Sequence, residues 1–240
     1  MKTELKALGS QVRLDLSIGK QPLFLLTLLI YFTYWAAIWL ADPYRPQTVN
    51  YYAEMGMFPI VIMLTVLLFE REIGGGSMEV IATYPVSLRL MAVRKWILAL
   101  VLAALAGLGW MAMYRMKFGG IVNVMHPWNG GEAVSRQAGY LPLLLQTLPA
   151  YMLLASVAVL GIAWFQKLYG GLMIAFALWI LDTVSAGRIL GGFTLYTAYL
   201  TEGSSFIANR VSLLVLAGSL LLLAGGVMGS RERWIGREEE

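Results

Sequence analysis

Two carboxylates stand where acid chemistry could be done: Glu54, near the start of an apolar run over 51–69, and Asp182, just past one over 168–181. A charge within lipid is costly, so each invites a role as an intramembrane proton or substrate contact. For Glu54 the alternative is a hydrated place at the outer interface, which the neighbouring Asn50, Tyr51 and Tyr52 favour. His126 is the only histidine. Without acidic or cysteine companions at ligand spacing it reads as a loop residue rather than a metal ligand. The run Gly74-Gly75-Gly76-Ser77 has the look of a phosphate loop but lacks the lysine that such a loop places before its hydroxyl residue. There is no HExxH and no GxSxG, and with no cysteine there is neither a disulfide nor a thiolate site. The thirteen methionines are scattered through apolar runs and read as packing filler. No catalytic, cofactor or metal residue is therefore assigned, and no nucleotide is expected on this chain.

The elements that would hold these residues are membrane spans. Of 240 residues 59% are hydrophobic and 13% charged, about half the charge of a soluble domain. The whole chain, 1–240, reads as one all-α polytopic membrane domain. Six apolar runs, over 23–41, 51–69, 96–114, 140–164, 168–181 and 211–228, approach or exceed the roughly 20 residues that cross a bilayer core. Pro22 stands where a helix start tolerates it, Pro59 would kink the second run, and Pro142 with Pro149 would tilt or kink the fourth. The third run carries Ala103, Ala104, Ala106, Gly107 and Gly109, small residues that fit the inside of a bundle.

Three further segments complete the outline. Residues 1–21 carry Lys2, Lys6, Arg13 and Lys20 against Leu5, Leu8, Val12 and Leu16, the pattern of an amphipathic helix lying on a lipid surface. Residues 185–210 are too apolar for an ordinary loop and too broken for a span, which fits short re-entrant or interfacial helices before the sixth span. Residues 115–139 read as a polar loop.

The stretch 70–95 is the most patterned interruption in the chain. Glu70, Arg71 and Glu72 end the second run, glycines 74–76 break the backbone, and Met78, Ile81 and Ala82 then share one face of a short helix with Glu79 turned elsewhere. Pro85 disfavours helix at Tyr84, and Ser87 is placed to cap the next helix. A short amphipathic helix isolated between two spans is a docking surface. With both termini on one side, twelve of the eighteen basic residues fall there: Lys2, Lys6, Arg13 and Lys20; Arg71, Arg89, Arg94 and Lys95; Lys167; and Arg231, Arg233 and Arg237. The positive-inside rule makes that side cytoplasmic, and leaves Arg45, Arg115, Lys117, Arg136, Arg188 and Arg210 outside.

Taken together, 70–95 resembles the cytoplasmic segment of type-2 ATP-binding-cassette (ABC) exporter permeases. The matching residues are Glu70, Arg71, Glu72, Gly76, Ser77, Glu79, Pro85, Val86, Ser87 and Lys95. The departures are Ser77 for the commoner threonine, Val80-Ile81 for a leucine pair, and the extra Gly74-Gly75. The resemblance implies a transport subunit rather than an enzyme. Two six-span bundles, identical or related, would pair in the cell membrane, each docking an ABC ATPase that carries the ATP and magnesium. Met78, Glu79, Ile81 and Pro85 would belong to the coupling helix, and Glu70, Arg71 and Glu72 would fix its angle. An amphipathic substrate, a lipid, peptide or drug-like molecule, would move by alternating access, and no nucleic acid is expected as a partner. The alternatives are a proton-coupled carrier or membrane enzyme using Glu54 and Asp182, and a non-transporting scaffold or immunity-type protein.

Overall fold

A computed structural model describes residues 19, 21–42, 44, 48–128, 133–200 and 206–235. The amphipathic helix expected over 1–21 lies almost wholly outside the described residues. Seven helices are described: α1 (Pro22–Leu40), α2 (Tyr51–Gly74), the short α3 (Met78–Thr83), α4 (Leu88–Phe118), α5 (Tyr140–Phe165), α6 (Leu168–Ser185) and α7 (Phe206–Gly229). All but α3 are long and apolar enough to cross a membrane, the outline of a multi-pass membrane protein.

The bundle is built around α2. Its α-helical centre, Met57–Phe69, is apolar on every side, and every one of its residues is buried, as expected of a helix without a polar face. It packs against α1, α4, α5 and α6. By contrast α1 is buried over only 11% of its most apolar stretch, against 94% for α2. The third span, expected inside the bundle for its small residues, is instead half outside. Within it only Ala99, Ala103, Gly107, Trp110, Met111 and Tyr114 are buried, while Val101, Leu105 and Leu108 face outward. Small residues still do what they do in lipid, which is to let backbones approach. A Cβ on Gly109 would collide with the Tyr31 hydroxyl, and one on Gly161 would lie 2.6 Å from the Gly170 carbonyl oxygen, where α5 and α6 meet.

Both ends of α2 are π-helical, over Tyr51–Gly56 and Glu70–Gly74. The first of these wide turns stands just ahead of Pro59, whose ring and missing N–H would conflict with tight α-helical bonding there. At the far end two of the three glycines gain a role that their sequence does not disclose. Gly76 has a left-handed φ of 67°, and a Cβ on Gly75 would lie 2.6 Å from the Arg71 carbonyl oxygen.

Helix α4 has 31 residues, roughly 46 Å at 1.5 Å each, so it extends past a 30 Å hydrocarbon core. It starts where expected, with the Ser87 hydroxyl accepting from the Leu90 amide at 3.3 Å, and stops at left-handed Gly119. The extension takes in Lys117, whose ammonium donates to the carbonyls of Ile38 (2.9 Å), Trp39 and Ala41 (2.5 Å each) and so caps the end of α1.

One expectation is corrected. The polar loop over 115–139 contains an antiparallel hairpin, β1 (Val122–Met125) with β2 (Val134–Gln137), Val122 opposite Gln137, so the fold is mostly rather than wholly helical. The region 185–210, expected to hold short re-entrant or interfacial helices, has two short 3-10 helices, Gly191–Phe193 and Thr197–Tyr199, among its described residues, and its last five residues begin α7.

Candidate functional site

At one end of the bundle the segment after α2 presents α3. Its inward face is formed by Met78 and Ala82, 3% and 1% exposed, with Ile81 half-buried, and its outward face by Glu79, Val80 and Thr83. Met78, Ile81 and Ala82 share a face as their spacing predicts, but that face turns inward, so the face open to a partner is the opposite one. Beneath α3, Lys95 of α4 reaches across to α2. Its ammonium makes a 2.9 Å ion pair with Glu72 and donates to the Leu68 carbonyl, while Phe69 lies beneath it as a cation–π partner at 5.5 Å. Lys95 is 1% exposed, so this pair fixes the helical end that leads into α3. Of the acidic-basic triplet Glu70, Arg71 and Glu72, only Glu72 forms an ion pair among the described residues. Arg71 is exposed, and one Glu70 oxygen is buried without a hydrogen bond. Pro85 and Tyr84 are exposed, with Tyr84 in the extended conformation that Pro85 imposes.

At the opposite end, beside the hairpin, Glu54 and Asp182 converge on one structure. Glu54 is fully buried, which corrects the expectation of a hydrated interfacial residue. The wide turn Tyr51–Gly56 carries it inward, where its oxygens accept from the Thr197 amide at 3.0 and 3.2 Å and from the Thr197 hydroxyl at 2.5 Å. Asp182, also fully buried, accepts from the Thr194 hydroxyl at 3.0 Å and the Leu195 amide at 2.7 Å. Arg210 of α7, likewise fully buried, donates to the Leu195 carbonyl at 3.2 Å and stands over Phe206, and the charges of both carboxylates act on it. Asn209 donates to the carbonyls of Gly192 (2.9 Å) and Thr194 (3.0 Å). The segment Thr194–Thr197, irregular and buried, thus has its backbone satisfied by side chains from α2, α6 and α7, the condition on which irregular chain survives at such depth.

Tyr196 closes the arrangement. Its hydroxyl accepts from the Trp179 indole at 2.9 Å. The Thr183 hydroxyl spends its proton on the Trp179 carbonyl, so the 2.8 Å bond between Tyr196 and Thr183 has tyrosine as donor. Burial pushes the Tyr196 hydroxyl up to about 12, which keeps that proton in place. Next to the cluster His126, from the hairpin end, stacks on Phe206 with ring centres 4.9 Å apart, and burial followed by the Arg210 charge holds its imidazole below the ordinary value.

No family model, no curated protein and no solved structure matches the chain. The geometry therefore carries the reading alone. Glu72, Met78, Glu79, Ile81 and Pro85 gather at one end, with Glu70 and Arg71 beside them, and Glu54 with Asp182 at the other. No group of His, Asp or Glu suited to a metal ion occurs among the described residues. Arg210 and Arg231 do not stand out in the sequence. Arg210 reads there as an outer loop charge because it precedes the apolar run; the available signal is Asn209-Arg210 directly abutting that run, where one added helical turn carries both into the bundle.

Proposed function

We propose that the chain is the transmembrane permease subunit of an ATP-driven exporter of the ABC class, working as one of two paired bundles, identical or related, in the cell membrane with both termini cytoplasmic. The observation that carries the reading is α3: a short helix, held between two spans over a buried Glu72–Lys95 pair, with Met78 and Ala82 turned inward and Glu79, Val80 and Thr83 left outward. Such a helix transmits position only if its base is rigid, and a buried, hydrogen-bonded ion pair between α2 and α4 is a rigid base. ATP and magnesium belong to the partner ATPase, whose closure would tilt α3 and with it the α2–α4 pair. The cargo is an amphipathic molecule, a lipid, peptide or drug-like compound, taken up between the bundles.

The test is co-purification of the tagged chain with an ATP-hydrolysing subunit, compared with a chain lacking residues 78–84. Loss of ATPase activity from the preparation is expected, and Glu79→Lys should weaken the association. An ATPase that stays bound to the deletion variant would overturn the reading.

One observation favours a second reading, a carrier driven by protons, because Glu54 and Asp182 are both buried and both act by their charge on the buried Arg210. Against it, Glu54 through both oxygens and Asp182 through one already accept from amides and hydroxyls of Thr194–Thr197, the bonding of a structural clamp. Glu54→Gln separates the two: a carrier would lose proton dependence with its fold intact, whereas a clamp would lose thermal stability.

A further inference from the structure

We propose that the turn after α7 is a latch on α3, with Arg231 as its positioning residue. A six-residue helix has little stability of its own, and the carbonyls at its end lack helical partners. Pro85 offers no N–H to them. Arg231 supplies donors there: one guanidinium nitrogen reaches the carbonyls of Ala82 at 3.3 Å and Tyr84 at 2.8 Å, the latter also accepting from the Val86 amide at 2.8 Å, and the other reaches the Val86 carbonyl at 3.0 Å. The planar fork holds three acceptors in one fixed geometry, and its charge complements the negative end of the helix.

The latch is itself anchored. Trp234 is 6% exposed and donates to the Met228 carbonyl at 3.2 Å, so the turn folds back on α7. Arg233 donates to the Trp164 carbonyl at 3.0 Å, and Gln166, in a left-handed conformation with φ 56°, returns a bond to the Arg233 carbonyl. Between this turn and α3 lies a cavity of about 100 Å³ lined by Ile73, Met78, Glu79, Gln166, Arg233 and Trp234. Arg231 thus ties the free end of α3 to α7 and to the α5–α6 turn, by a route independent of the Glu72–Lys95 pair at its base. Movement of α7 is then passed to α3 directly. The latch stands on these contacts; only its consequence for an ATPase rests on the proposed function.

Because the chain has no cysteine, spin labels can be placed at will. Thr83→Cys with Tyr169→Cys reports the position of α3 against the bundle, and Ile97→Cys with Tyr169→Cys reports the bundle itself, both in lipid nanodiscs by pulsed EPR. Arg231→Ala should at least double the width of the first distance distribution while leaving the second unchanged, and Arg231→Lys should fall between. An unchanged first distribution in Arg231→Ala overturns the latch. So does equal broadening of both pairs in Arg231→Lys, since that is general loosening. Co-purified ATPase activity is read on the same variants: a loosened α3 with undiminished association would refute the ATPase reading and leave the latch standing.

Discussion

Arg210 and Arg231 stand at opposite ends of α7 and put the same guanidinium to opposite uses. Arg210 is wholly buried, faces two buried carboxylates, and makes one hydrogen bond to protein, leaving Nε and Nη2 without a partner among the described residues. Arg231 is exposed and has three carbonyls in its fork. The first end is held by charge taken out of water, where the desolvation of each partner is large and removing any one strands the others. The second is held by hydrogen bonds at a surface, where little stability is at stake and geometry is the product. One end is built to stay shut, and the other to be steered.

The strongest test of that contrast is Arg210→Ala, which leaves Glu54 and Asp182 buried without their cation. A loss of about 3–5 kcal/mol is expected, read as a collapse of folded yield and melting temperature in detergent. Arg210→Ala combined with Glu54→Gln should recover part of it, because the stranded charge is removed with its partner. If the single variant melts like the parent, the cluster is hydrated and the clamp is wrong.

Lys95→Met asks whether the base of α3 belongs with the buried end or the surface end. The ammonium is buried and serves both Glu72 and the Leu68 carbonyl, but Glu72 keeps slight contact with solvent, its side chain 12% exposed. A loss of roughly 3 kcal/mol, at the lower edge for a broken buried pair, is expected. The double variant with Glu72→Gln should cost clearly less than the sum, as a thermodynamic cycle would register.

Tyr196→Phe is smaller. It removes one hydroxyl and strands the Trp179 indole, for about 1–2 kcal/mol in thermal unfolding. Arg231→Ala is smaller still in stability, under about 1 kcal/mol for an exposed cation, although under the proposed function it should weaken ATPase association most among these substitutions. A large stability loss there would erase the distinction between the two ends.

The spans are legible in the sequence because apolar length is a strong, local signal: α1 begins at Pro22 and α4 is capped by Ser87, as their residue types require. That Met78, Ile81 and Ala82 share one face of α3 is legible from their spacing. Pairing across distance is not. Glu54 looks interfacial beside Tyr51 and Tyr52 because nothing nearby announces Thr197, and Asp182 ends an apolar run with no hint that Leu195 will offer its amide. The hairpin escapes because Val122–Met125 and Val134–Gln137 are short strands flanked by glycines, too brief for an alternation to emerge. Arg231 lies in a basic tail whose charges read as topology, and its reach to Ala82 and Tyr84 exists only because α3 and α7 end side by side.

The finest test concerns His126, which touches the buried end from its rim. The half-buried ring stacks on Phe206, the residue also facing Arg210, with Trp128 against the same ring at 5.1 Å. Burial first, and then the Arg210 charge, hold the imidazole below its ordinary 6.5. The folded protein therefore binds fewer protons than the unfolded chain once the pH falls below that value. The stabilisation from a neutral ring is complete above about pH 6.5, and is lost progressively as the pH falls from there toward the lower folded-state value. Solvent screening at a half-exposed site keeps the effect under about 1 kcal/mol. Hydrogen exchange over 122–137 should accelerate between pH 7 and 5.5, after correction for intrinsic rates, and His126→Asn should flatten that dependence. A variant that keeps the full acid response would assign it to the carboxylates instead, and would mean that the buried end is open to protons after all.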